Sequence, residues 1–145
     1  MEEIKVYNTL TKEKEVFKPI TPGEAKIYVC GVTPYNHPHI GNARPAVTWD
    51  VIRRYLEYVG YKVEFVQNFT DVDDKINAAS KASGEPIRVI TERTTQAYNE
   101  DMAALGAYVP AVTPRATEHL PELITIIEQL TANGHAYAAA CHALL

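Results

Sequence analysis

The feature that most constrains this chain is an apolar run of strand length, Ile27-Tyr28-Val29-Cys30, that breaks at Gly31 into a segment carrying Pro34, Pro38, Gly41 and Pro45. Such a run reads as a buried strand feeding a Gly/Pro-rich loop. From Pro45 onward, Val47, Val51, Ile52, Tyr55, Leu56 and Val59 recur at helical spacing, and Gly60 stands where a left-handed residue would close a helix. Lys62-Val63-Glu64-Phe65-Val66 is strand-like again. Residues 27–67 therefore form a strand, loop, helix, strand unit of the length a parallel crossover needs, which predicts an α/β fold with a Rossmann-like parallel sheet and flanking helices.

The rest of the chain is organised around that unit. Residues 1–26 read as a leading arm or hairpin, with an alternating run at 4–10 and turn residues at Pro19, Pro22 and Gly23. Residues 68–137 read as helical, with helices over Asp71–Ser80 and Glu85–Leu105 about the turn Ser83-Gly84-Glu85-Pro86. A cleaner apolar stripe follows at Leu120, Leu123, Ile124, Ile127 and Leu130, with Pro121 in the first turn and Gly134 as the stop. The 145 residues, 46% of them hydrophobic, suit one domain.

The opening Met1-Glu2-Glu3-Ile4-Lys5 lacks the pattern of a signal peptide, and no run of about 18 apolar residues could span a bilayer, so a cytoplasmic protein without a membrane partner is expected. Fourteen basic against eighteen acidic residues give a formal charge of -4, which does not advertise a nucleic-acid surface; no DNA partner is expected, and a tRNA would find its main footprint elsewhere. Two distant cysteines, Cys30 and Cys141, do not make a disulfide framework.

Chemistry-bearing residues concentrate between Cys30 and Pro45, where a strand's carboxyl end meets a helix start, the place at which open α/β sheets bind ligands. A helix amino terminus offers free N–H groups and partial positive charge, Gly41 permits close backbone approach, and Pro45 suits an opening turn, so a phosphate is the natural guest. Neither common glycine-rich phosphate fingerprint is present. His39 and Asn42, three apart at the junction, are the expected donors to phosphate and the expected catalytic pair. Arg44 lies near enough to be a further candidate, whereas Arg53 and Arg54 fall on the polar helix face, where solvated charge is ordinary.

His39-Ile40-Gly41-Asn42 resembles the His-Ile-Gly-His signature of class I aminoacyl-tRNA synthetases, in the Asn-ended form common among cysteinyl-tRNA synthetases. Tyr28-Val29-Cys30-Gly31, Asn42-Ala43-Arg44-Pro45 and Asn68-Phe69-Thr70-Asp71-Val72-Asp73-Asp74-Lys75 are similar to that family at matching separations, and the similarity runs from Asn8 to about Tyr137. The resemblance implies the first half of a class I catalytic domain, which activates cysteine with ATP and Mg2+ to cysteinyl adenylate and passes it to tRNA(Cys). It assigns ATP to His39, Gly41 and Asn42, substrate cysteine to Gly31 and Thr70, and one ligand of a Zn2+ ion to Cys30. On residue chemistry alone, Cys30 as an ordinary thiol stays open.

Asp71, Asp73 and Asp74 are read as capping and structural residues, since anions at a helix start are favourable. His37, His119 and His135 are read as structural, and Cys141-His142 as tail. Gly31-Val32-Thr33-Pro34-Tyr35 departs from the family's usual Gly-Pro-Thr-Val-Tyr. Thr33-Pro34 also occurs in the related ligase that joins cysteine to the glucosamine of mycothiol, an alternative alongside a non-catalytic nucleotide-binding remnant. The remaining zinc ligands, the Lys-Met-Ser-Lys-Ser loop and the anticodon-binding helices of the family are not found in the sequence, and residues 138–145 do not resemble it. A truncated chain, inactive by itself, is expected.

Overall fold

The computed structural model describes residues 3–108, 110, 112–139 and 142–144. Strand β1 (Lys5–Asn8) pairs antiparallel with β2 (Glu13–Val16), Lys5 opposite Val16 and Asn8 opposite Glu13. The connection is a tight turn in which Lys12 has φ 60° and donates its N–H to the Asn8 carbonyl.

The crossover expected between residues 27 and 67 is present. Strand β3 (Glu24–Val29) leads through a loop into helix α1 (Ile40–Tyr58), and β4 (Lys62–Gln67) returns parallel to β3, Ile27 facing Phe65 and Val29 facing Gln67. The extended segment 112–116 runs parallel on the far side of β4: Val112 bridges Val66, Arg115 bridges Phe69, and Phe69 N–H reaches the Pro114 carbonyl at 2.9 Å. Helices α2 (Asp74–Ser83) and α3 (Ile87–Ala104) follow β4. After these bridges come a 3-10 turn (Ala116–His119), helix α4 (Leu120–Ala132), and a short antiparallel pair, β5 (Tyr137–Ala139) with β6 (His142–Leu144).

Three expectations need correction. Helix α1 begins at Ile40, five residues before Pro45, because His39 caps it and leaves Pro45 inside the helix. Gly41 and Pro45 are exposed, so the Gly41 carbonyl that loses its i+4 donor faces water. Second, β3 is not buried on both faces. Ala25 and Val29 point inward while Tyr28 is 64% exposed, the alternation of a strand covered on one side. Third, the apolar stripe of α1 is only partly its buried face: Leu56 is buried and Ile52 and Val59 are half-buried. Ala43, Asp50 and Leu56 are buried, whereas Val47, Val51 and Tyr55 are exposed.

The core that supports the strand ends joins α1, α3 and the residues after β4. Ala43, Phe69, Tyr98, Met102 and Ala107 are buried together, with Val32 and Ala46 packed against them. Phe69 and Tyr98 meet edge to face at 5.8 Å, the geometry that aromatic quadrupoles favour.

Candidate active site

At the carboxyl ends of β3 and β4 the two chains approach more closely than side chains allow. Gly31 N–H donates to Asn68 Oδ1 at 2.7 Å, and a Cβ on Gly31 would lie 1.5 Å from the Asn68 carbonyl oxygen. Thr70 N–H donates to the Val32 carbonyl at 3.2 Å. Gly31 and Thr70 thus occupy neighbouring strand ends. Cys30 is exposed, its sulfur 3.7 Å from the Gly31 carbonyl. Among the described residues no group of three His, Cys, Asp or Glu could hold a metal ion. Cys30 offers one soft ligand, and a structural or catalytic zinc needs at least three from protein, so the described residues by themselves do not make a zinc site.

The loop from Cys30 ends in a reciprocal cap. His39 is the N-cap of α1; its Nδ1 accepts the Gly41 N–H at 3.0 Å, while Asn42 Oδ1 accepts the His39 N–H at 3.0 Å. Both acceptor atoms are consumed within the motif. With Nδ1 as acceptor, the proton of the neutral imidazole sits on Nε2, and Asn42 keeps its Nδ2 amide protons, so each residue retains a donor. Gly41 has a steric reason in this geometry: a Cβ there would stand 2.7 Å from His39 Cε1, in the space the ring occupies.

His39 and Asn42 line a cavity of about 80 Å³ with the 32–38 loop, Thr94 and Tyr98. The loop is held from α3, where the Thr94 hydroxyl donates to the Pro34 carbonyl at 2.7 Å and both residues are buried. Burial pushes the Tyr98 phenol above its ordinary pKa, against a smaller opposing pull from its hydrogen bond with Gln67. Sequence reasoning missed Thr94 and Tyr98. Their signal was the spacing Ile90, Thr94, Tyr98, one residue every four along a helix. His37, read as structural, also lines this cavity.

The carboxylates of the 71–74 segment serve the fold. Asp73 is the N-cap of α2, accepting the Lys75 N–H at 2.8 Å, and Asp74 sits in its first turn. Asp71 is buried and accepts both the N–H and the hydroxyl of Thr117, at 2.9 and 2.6 Å. Arg44 is exposed on α1. Arg53 corrects the expectation of solvated charge: its side chain is 11% exposed, bridges Asp50 and Glu57, and covers the Tyr108 ring at 4.1 Å. Its partner Asp50 also holds Arg54, whose other end reaches the Gly106 carbonyl. His119 stands 4.0 Å from Glu122, and His135 N–H closes on the Leu130 carbonyl. Cys141 lies outside the described residues, and His142 opens β6.

A parallel β-α-β crossover with a capped helix start at the strand ends is a Rossmann-like α/β arrangement, and solved aminoacyl-tRNA synthetases share this fold. Methionyl-tRNA synthetase of Mycobacterium tuberculosis in complex with methionyl-adenylate superposes with a TM-score of 0.68 at 23% identity, covering 77% of this chain and 23% of that one. The leucyl enzyme of Agrobacterium radiobacter K84, in a ternary complex with tRNA and LeuAMS, gives 0.67 at 22% identity, over 83% of this chain and 16% of that one.

The family model for the "tRNA synthetases class I (C) catalytic domain" matches residues 16–144, and the chain belongs to that family. The match continues past Tyr137, where the residue-level resemblance was read to end, through the β5–β6 pair. The cysteine–tRNA ligase of Paramagnetospirillum magneticum is 54% identical over 139 residues, 96% of this chain and 30% of that protein. The Bacillus pumilus ligase is 53% identical over 136 residues, 94% of this chain and 29% of its own length. The chain thus spans under a third of the length of these curated relatives. Among the described residues no helix is long and apolar enough to cross a membrane.

Proposed function

We propose that this chain is the nucleotide-binding part of a catalytic domain that activates cysteine with ATP and Mg2+ to cysteinyl adenylate and transfers it to tRNA(Cys). The observation that carries the reading is the reciprocal His39–Asn42 cap, which uses both acceptor atoms internally and leaves the donors for a ligand. Donors fixed before the ligand arrives lose little by reorganising when negative charge grows on the phosphates, and the start of a 19-residue helix adds partial positive charge. The chain's own contribution is therefore to bind the triphosphate, orient it, and stabilise charge at His39 Nε2 and Asn42 Nδ2. Gly41 belongs to the ATP site by making room for the His39 ring.

Gly31 and Thr70, side by side at the strand ends, are the proposed contacts to the substrate amino acid. Cys30 is proposed as one ligand of a zinc ion whose other ligands come from outside the described residues; no step of the reaction is derived through it. The proposed acceptor is tRNA(Cys), and the proposed compartment is the cytoplasm.

The test joins this chain in frame to the remaining sequence of the Paramagnetospirillum magneticum relative and measures cysteine-dependent ATP–pyrophosphate exchange. Exchange that falls about 100-fold or more in His39→Ala is the expected result. Exchange that is absent, or indifferent to His39, would refute the reading.

A further inference from the structure

We propose that Thr94 is a positioning residue for the loop that delivers His39, acting through the Pro34 carbonyl; the inference rests on the nucleotide-site reading above. Thr94 Oγ1 has three carbonyl oxygens within reach: Pro34 at 2.7 Å, Ile90 at 2.8 Å and Thr91 at 3.4 Å. A hydroxyl has one proton. The Ile90 carbonyl already receives the Thr94 backbone N–H by helical geometry. The proton is shared in a three-centre bond that leans to Pro34, the shorter contact and the carbonyl that receives no helical N–H.

Three further observations make this a clamp on the site. Pro34 is among the most completely buried residues of the protein, and its carbonyl has no other partner among the described residues, so removing the hydroxyl orphans it. Thr94 lines the same cavity as His39 and Asn42. Finally, the clamp joins α3 to the loop across 60 residues of sequence, whereas the cap at His39 is made only of neighbours. The cap sets the orientation of the imidazole on α1, and Thr94 sets where the loop preceding it lies against α3.

The experiment compares Thr94→Val, which keeps the shape and removes the hydroxyl, with Thr94→Ser, which keeps the hydroxyl. Thr91→Val is the control, because Thr91 is equally buried but donates only within its own helix, to Arg88. Amide hydrogen exchange on the 145-residue chain is the first readout. In Thr94→Val the amides of residues 33–39 should exchange about tenfold faster while those of β4 keep their protection, and Thr94→Ser and Thr91→Val should match the parent.

The second readout is pyrophosphate exchange in the joined protein, where Thr94→Val should lower kcat/KM about tenfold and Thr94→Ser should restore it. Unchanged loop exchange, or acceleration spread evenly over the chain, overturns the clamp. Faster loop exchange with unaltered activity overturns its role at the site. If the parent joined protein shows no exchange, the nucleotide reading fails instead, and loop protection still decides whether Thr94 holds the loop. Should Thr94→Val not fold, Thr94→Cys, with a weak donor in the shape of serine, takes its place in the same comparisons.

Discussion

Asp71 and Thr117 stand 46 residues apart, yet one buried carboxylate takes both the N–H and the hydroxyl of that threonine. Through Asp71, the neighbour of Thr70, this pair fastens the 3-10 turn Ala116–His119 to the end of β4. Hydrogen bonds to a buried charge are among the stronger ones, so Asp71→Ala should cost about 2–3 kcal/mol, read as a lower urea midpoint at unchanged slope. A loss below about 0.5 kcal/mol would mean that the turn is held by its other contacts.

Two glycines of the site should respond differently to the same methyl group. At Gly31 the new Cβ meets backbone, the Asn68 carbonyl at 1.5 Å, so the strand ends must separate and Gly31→Ala should fail to fold cooperatively. At Gly41 it meets the end of a side chain, His39, which can rotate away. Gly41→Ala should stay folded, lose about 1 kcal/mol with the cap, and lose pyrophosphate exchange in the joined protein. Near-ultraviolet dichroism with thermal melting separates these outcomes, and equal melting temperatures would contradict the steric account.

The cap and the donor of residue 39 can be separated. Asparagine supplies a cap acceptor but no imidazole Nε2, so His39→Asn should melt near the parent temperature while exchange falls about 100-fold. Asn42→Asp keeps the oxygen that accepts the His39 N–H and replaces the amide donor with charge. Its apparent ATP affinity should drop at least about tenfold, with the melting temperature nearly preserved. Either variant binding ATP as the parent does would remove the donor assignment.

Asp50 makes stability pH-dependent in a defined direction. Burial works to raise its pKa from the ordinary 3.8, but hydrogen bonds from Arg54 and Arg53 together outweigh it, and the net shift is downward. A carboxyl with a lowered folded pKa binds fewer protons when folded. Its stabilisation is complete above the unfolded value and is lost as pH falls through the folded one. Asp50→Asn should be less stable by about 3 kcal/mol at neutral pH, since Arg53 is left buried and half-paired. Urea titrations between about pH 6 and pH 3 should show the gap narrowing below about pH 4. A gap that stays constant to pH 3 would mean that Asp50 has no linked proton.

The crossover was legible because its evidence is local: an apolar run ending at Gly31, helical spacing up to Gly60, and a second run at 62–66. The start of α1 was misplaced because Pro45 is the stronger local signal, while the His39–Asn42 cap is visible only once both residues are read as hydrogen-bonding groups. The buried face of α1 was read only in part, at Leu56 and the half-buried Ile52 and Val59, because the stripe rule weighs apolarity. Here Asp50 and Arg53 neutralise each other and occupy the inside, leaving Val47, Val51 and Tyr55 on the outside.

By itself, the sequence determined the α/β crossover, the family and the cluster between Cys30 and Pro45, since period, punctuation and short motifs are properties of neighbouring residues. The tertiary structure alone decided that Gly31 must be glycine, that Asp71 belongs to Thr117, and that Thr94 holds Pro34. Each of these depends on two segments 37 to 60 residues apart meeting at hydrogen-bond distance, and such separations carry no periodic signal along the chain.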